Sequence, residues 1–109
     1  MAHYLVRATP RKEHLKELEA RLQRGEFMTM RPFGSALSYS LKRARYEPDG
    51  TAVWEEEDYC RPPLAEERAA VLDHYFDNLT VRSVEERSGW KEIDHFPPLF
   101  PALMKEKPG

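Results

Sequence analysis

Residues 35–60 read SALSYSLKRARYEPDGTAVWEEEDYC, and the fold turns on how this stretch is read. Glu47-Pro48-Asp49-Gly50 is a turn sequence: Pro48 presets φ, Asp49 tolerates the third position, and Gly50 accepts the left-handed conformation that closes many hairpins. The flanking runs alternate, which predicts two paired strands. With Pro48 and Asp49 at the turn centre, Ala44 stands opposite Val53, Arg43 opposite Trp54, Lys42 opposite Glu55 and Ser40 opposite Glu57. Successive side chains then point to opposite faces. One face carries Leu37, Tyr39, Leu41 and Trp54 and suits a covering helix. The other carries Ser38, Ser40, Lys42, Glu55, Glu57 and Tyr59 and suits water, a ligand or a partner chain. Strict alternation sends Glu56 and Asp58 to the apolar face, and a bulge near Glu55–Glu57 would take them off it.

Working outward, residues 3–8 read as a short strand. Thr9-Pro10 is a helix-start signal, a capping hydroxyl before proline at the first helical position, and predicts a helix from about residue 10 to 24. Leu15, Leu18 and Leu22 form its apolar stripe, and Gly25 stops it. Phe27, Met28, Met30 and Phe33 favour a connection packed over helix ends rather than a Met-rich ligand site. Arg61-Pro62-Pro63 ends the hairpin. Residues 64–76 read as a second helix with Leu64, Val71, Leu72 and Tyr75 inward, and 79–84 as a fourth strand.

The order β-α-β-β-α-β predicts an α+β, ferredoxin-like fold: a four-stranded antiparallel sheet with two helices on one face. Trp90 and Ile93 suggest a further short strand or packed turn. Residues 1–93 form the domain, and 94–109 a proline-rich arm whose Pro97, Pro98, Pro101 and Pro108 forbid a regular helix or a central strand. The arm also carries Phe96, Leu99, Phe100, Leu103 and Met104, too much apolar surface for a free tail. The expectation is that residues 94–104 cross to, or brace, a partner subunit.

Composition narrows the classes. At 109 residues the chain is one domain, with 33% charged and 40% hydrophobic residues and a net charge of −2. That balance argues against nucleic-acid or membrane-surface binding. Lys42, Arg43, Arg45, Arg7 and Arg82 are basic, but the carboxylates of residues 55–57 would repel phosphate. Cys60 is alone, and residues 1–9 carry no signal-peptide core, which together predict a reducing, cytoplasmic location. No apolar run is long enough to span a bilayer.

Few motifs carry chemistry outright. His3, His14, His74 and His95 are scattered without metal-ligand spacing, so neither a metal nor a cofactor is predicted. Glu55, Glu56, Glu57 and Asp58 could share a proton or hold a cation, although a solvated face partnered by Lys42 is the plainer reading. Cys60 has no histidine near it in sequence and reads as a packing residue.

Several segments together resemble the YCII-like proteins of the dimeric α+β barrel superfamily. Arg11-Lys12-Glu13-His14-Leu15, followed by Leu22 and Gly25, is similar to that family's first helix. Met30-Arg31-Pro32-Phe33-Gly34 is similar to its Gly-Pro segment, with arginine replacing glycine. Leu72-Asp73-His74-Tyr75 through Val81-Arg82 is similar to its Asp-Pro-aromatic segment, with histidine replacing proline. The long hairpin and the proline-rich arm depart from the pattern. The resemblance covers about residues 3–84 and implies a homodimer with a cleft beside the sheet and a catalytic His–Asp pair, here His14 and Asp73. An imidazole oriented by a carboxylate works as a general base near neutral pH. Ligand contacts would come from Arg7, Tyr39, Ser40, Glu55, Glu57 and Arg82. The expectation is thus a small-molecule enzyme or ligand-binding protein of unknown substrate. The alternative is a non-enzymatic assembly or regulatory module that uses the open sheet face for association.

Overall fold

The computed structural model describes residues 2–104. Strand β1 (Ala2–Pro10) leads through a 3-10 turn (Lys12–His14) into α1 (Leu15–Gln23). There follow α2 (Gly34–Lys42), the short β2 (Arg45–Tyr46), β3 (Ala52–Asp58), a helical stretch α3 (65–75), β4 (Phe76–Val84), α4 (Ser88–Ile93) and a last turn α5 (Pro101–Met104). The sheet is antiparallel throughout, in the order β2-β3-β1-β4, and the fold is α+β of the ferredoxin-like class. No helix among the described residues is long and apolar enough to cross a membrane.

Alternation along the two central strands builds two cores. Val6 and Ala8 of β1 and Ala52 and Trp54 of β3 face the layer made by α1, α2 and α3, where Leu18, Leu22, Leu37, Leu41, Val71 and Leu72 are fully buried. Leu5 and Val53 face the other way and are covered by Ile93 of α4 with Phe96 and Trp90. Two helices on one face therefore become three, and the second face carries α4 where a strand or turn was expected.

The largest correction concerns residues 34–42. They form a helix, not the first strand of a hairpin. Leu37, Tyr39 and Leu41 satisfy period two, but Leu37 and Leu41 alone satisfy the i, i+4 spacing of a helix face. Tyr39 is 53% exposed, which only the helical reading allows. The turn itself forms as read: the Glu47 N–H donates to Thr51 O, the Gly50 N–H to Glu47 O, and Gly50 has φ +94°. The pairing is one residue removed from expectation, Arg45 opposite Val53 and Tyr46 opposite Ala52. Beyond Val53 the outer edge of β3 meets α2 rather than a strand.

No bulge interrupts β3, which pairs with β1 in constant register from Ala2–Asp58 to Ala8–Ala52. Glu56 and Asp58 are therefore carried into the interior. The bulge lies instead between β1 and β4, at Arg7/Thr9.

Thr9 and Pro10 end β1 rather than start a helix, and no side chain caps α1. Its C-terminus is closed as glycine predicts. Gly25 at φ +71° donates to Leu22 O, and the Glu26 N–H donates to Arg21 O, the paired bonds of a Schellman motif. Arg21 lies over the Phe27 ring and donates to the Tyr75 hydroxyl, which itself donates to Glu17, tying α3 to α1.

Burial and the Glu17 acceptor raise the Tyr75 pKa, against the pull of Arg21. A raised folded-state pKa favours the neutral phenol. That stability is fully present below the unfolded value of about 10 and is lost as pH rises through the folded value. Tyr75→Phe should cost about 1 kcal/mol at neutral pH and flatten the alkaline loss of stability. Urea unfolding at about pH 8 and about pH 11 checks this. An alkaline slope equal to that of the wild type would refute it.

The arm, through Met104, docks on its own domain instead of reaching outward. Tyr46 N–H donates to Pro97 O, Leu99 N–H to Ala44 O, and Arg45 pairs with Pro98, so residues 97–99 run antiparallel along β2. Phe100 and Leu103 enter the main core. The apolar slot beside β2 and α2 takes this extended segment within its own chain. The end of the arm, with Pro108, lies outside the described residues.

Candidate functional site

Two cavities adjoin along β3 and the N-terminal half of α2, and both are lined by Ala36 and Glu57. The larger is a groove of about 790 Å³ on the second sheet face. The sheet contributes His3, Glu55 and Glu57, α2 contributes Tyr39 and Ser40 with Arg43 just past its end, and α4 contributes Trp90 and Lys91. Leu103 and Met104 of α5 close it.

Four of the six predicted ligand contacts meet in this groove: Tyr39, Ser40, Glu55 and Glu57. Ser40 and Tyr39 arrive from a helix rather than a strand. Arg7 lies outside it, with Nε 3.0 Å from Glu47 Oε1, and is used to hold the turn. Arg82, exposed on β4, forms an ion pair with Glu92 at 2.6 Å.

His14 and Asp73 are not joined. Both are exposed, no hydrogen bond or ion pair connects them, and neither lines either of these two cavities. Asp73 pairs with Arg68 at 3.3 Å, and His14 sits edge-on to Tyr75.

Glu55 shapes the groove more than it offers itself to a ligand. It is buried, and its oxygens accept from the backbone N–H groups of Arg87 (2.8 Å), Gly89 (2.8 Å) and Trp90 (3.2 Å), with His3 Nδ1 3.5 Å away. A Cβ on Gly89 would fall 2.8 Å from Glu55 Oε1, so a side chain there would displace the carboxylate from its N–H donors. Glu57, two residues along on the same face, has no hydrogen-bonding or ion-pair partner among the described residues and faces both cavities. Opposite it, Arg43 stacks on the Tyr39 ring at 3.9 Å.

The smaller pocket, about 290 Å³, is lined by Asp58, Cys60, Glu66 and Glu67 under Pro32 and Phe33. Behind it lies Glu56, fully buried, whose Oε1 accepts from Trp54 Nε1 at 2.8 Å. Burial, together with the Glu67 and Asp58 charges, pushes Glu56 well above the ordinary carboxylate range, against the Trp54 hydrogen bond. Burial first, then Asp58, pushes Glu67 up to about 7. For Asp58, burial opposes ionisation, but hydrogen bonds from Glu67 and from the N–H groups of Leu64 and Cys60 outweigh it and hold its pKa low. The Asp58–Leu64 bond, 2.6 Å, anchors a loop in which Leu64 adopts φ +64°, a conformation strained for a branched side chain.

The sequence named Glu56 and Asp58 as able to share a proton or hold a cation but favoured a solvated face, and it did not join Glu67 to them. The signal was present in the strict alternation that placed Glu56 and Asp58 inward. Glu67 is brought to them by the turn of α3 and leaves no such trace. His3, Arg43 and Trp90 were likewise missed, because they come from three separated elements.

Comparison with known proteins gives no match: no family model, no curated protein and no solved structure matches the chain.

Proposed function

We propose that the protein binds a small polar molecule in the groove over the second sheet face, as a ligand-binding protein or enzyme of the dimeric α+β barrel kind. The observation that carries this reading is the convergence of Tyr39, Glu57, Arg43 and Trp90 on one 790 Å³ groove. That volume falls in the range of about 300–1,000 Å³ usual for small-molecule sites, which join aromatic walls to a few polar groups. Arg43 and Lys91 supply cationic donors for an acidic group, Glu57 an unpaired acceptor for an amine or hydroxyl, and Tyr39 and Trp90 flat apolar surface. The chemistry fits an aromatic amino or hydroxy acid. The His14–Asp73 pair has no part in this reading.

The homodimer belongs to the same proposal. It is supported by β4, an outer strand whose second-face residues Thr80 and Arg82 are exposed. The same surface would serve the alternative, an assembly module, but α4 and Phe96 already cover Leu5 and Val53 beside it.

Titration of the full chain with aromatic amino and hydroxy acids, followed by calorimetry and tryptophan fluorescence, tests the reading. At least one should saturate, and Arg43→Ala and Glu57→Gln should each weaken it about tenfold, the loss of one charge-assisted hydrogen bond. Absence of saturation across the set, or wild-type affinity in both variants, would overturn it. Sedimentation of the same samples reads the oligomeric state, and a monomer would remove the barrel.

A further inference from the structure

The end of β3 and the first turn of α3 bring together a donor set that the groove reading does not use. Asp58, Cys60 and Glu67 each offer one ligand atom, and these atoms all lie within 4.8 Å of one another. Cys60 Sγ is 3.8 Å from Glu67 Oε1 and 3.7 Å from Glu66 Oε1. A tetrahedral ion with sulfur at about 2.3 Å and oxygen at about 2.0 Å sets those atoms about 3.5 Å apart. The thiol therefore stands within a few tenths of an ångström of ligand spacing from each glutamate oxygen.

The set is held from outside. Asp58 Oδ2 accepts from the Leu64 and Cys60 N–H groups, at 2.6 and 3.0 Å, which fixes the loop between them and leaves the other carboxylate oxygen available. A separate observation points to something missing from the charge balance. Glu56 and Glu67 are 1% and 0% exposed, and the Oε2 atom of each is buried with no hydrogen-bond partner. Glu67 Oε2 belongs to the side chain whose Oε1 stands beside Cys60, so an unpartnered buried oxygen lies at the cluster itself. Among the described residues, no lysine, arginine or histidine forms an ion pair with Glu56, Asp58, Glu66 or Glu67. Buried carboxylates without cationic partners take up protons or coordinate a metal.

We propose that Asp58, Cys60 and Glu67 form a binding site for a thiophilic divalent cation of the zinc class, with Glu66 or water in the fourth position. The thiolate selects this class: magnesium and calcium take oxygen ligands, whereas zinc and cobalt(II) accept sulfur and oxygen in a tetrahedron. The pocket under Pro32 and Phe33 gives the ion a way in. The proposal is independent of the groove ligand, since none of its three donors lines that groove and the two cavities share only Ala36 and Glu57.

The test uses the full chain, reduced and freed of metal by chelation, titrated with zinc in the calorimeter and with cobalt(II) in the spectrophotometer. One equivalent should bind. Cobalt should give the near-ultraviolet thiolate charge-transfer band and the visible bands of a tetrahedral site, and excess magnesium should not compete. Cys60→Ser should abolish the charge-transfer band, and Glu67→Gln should weaken zinc by at least about tenfold. Should Glu67→Gln fail to fold, Cys60→Ser decides alone, because Cys60 is only half-buried. Failure to saturate, an octahedral cobalt spectrum without the thiolate band, or unchanged zinc affinity in Cys60→Ser would each overturn the proposal and leave protons as the charge balance of the cluster.

Discussion

Glu55→Ala should lower the unfolding free energy by about 3 kcal/mol and release α4 from the sheet. Both carboxylate oxygens of Glu55 are engaged by the backbone N–H groups of Arg87, Gly89 and Trp90, which begin a helix of only six residues. A helix this short has no independent stability, so its position depends on tertiary anchors. Removal of the carboxylate orphans three donors, at least one of them on a buried residue, and each buried orphan costs about 1–3 kcal/mol. Glu55→Gln keeps one acceptor and should cost about half as much, because it loses the charge assistance. Urea unfolding gives both values, and amide exchange over residues 88–93 should accelerate in the alanine variant. The groove should lose its Trp90 wall, so binding in it should weaken even though both Glu55 oxygens are taken up by backbone N–H groups. A cost below about 0.5 kcal/mol for Glu55→Ala would mean that Ile93 and Phe96 hold α4 without it.

The legible part of this fold was the part written in local signals. The turn at Glu47–Gly50, the Leu15/Leu18/Leu22 stripe, the stop at Gly25 and the strand β1 each depend on a few adjacent residues, and each forms. Residues 34–42 went wrong because Leu37, Tyr39 and Leu41 fit period two as well as Leu37 and Leu41 fit a helix. What settles the choice is tertiary: Gly34 packs so closely on Phe27 O that a Cβ would fall 2.0 Å from it, and Tyr39 has solvent to point into. The docking place of the arm was hidden for a related reason. Its apolar residues had to be buried, but the slot beside β2 that takes them exists only once α2 is a helix.

The groove was half legible. Glu55 and Glu57 followed from strand alternation, and Tyr39 and Ser40 were named, although from the wrong element. The acidic group was concealed by a physically sensible prior, that two carboxylates do not belong on a core face. The constant β1–β3 register overrides that prior, and the chain accommodates the cost with Trp54, the loop N–H groups and Glu67.

Trp54 is where the core and the acidic group depend on the same side chain, and its substitutions separate the two contributions. It is fully buried at the centre of β3, its ring centroid 5.1 Å from that of Phe76, and its indole N–H donates to Glu56 Oε1 at 2.8 Å. Trp54→Ala should cost about 3–5 kcal/mol, the usual range for removing a buried aromatic side chain. Trp54→Phe keeps most of the apolar contact but leaves Glu56 without its donor, and should cost about 1–3 kcal/mol. If that cost comes mainly from the orphaned carboxylate, replacing both partners should recover much of it, since a polar pair exchanged together for apolar groups is often nearly neutral. The Trp54→Phe/Glu56→Leu double variant should therefore unfold at higher urea than Trp54→Phe alone. Additive costs in this cycle would show that Glu56 is satisfied by the other acids and that Trp54 contributes only its bulk.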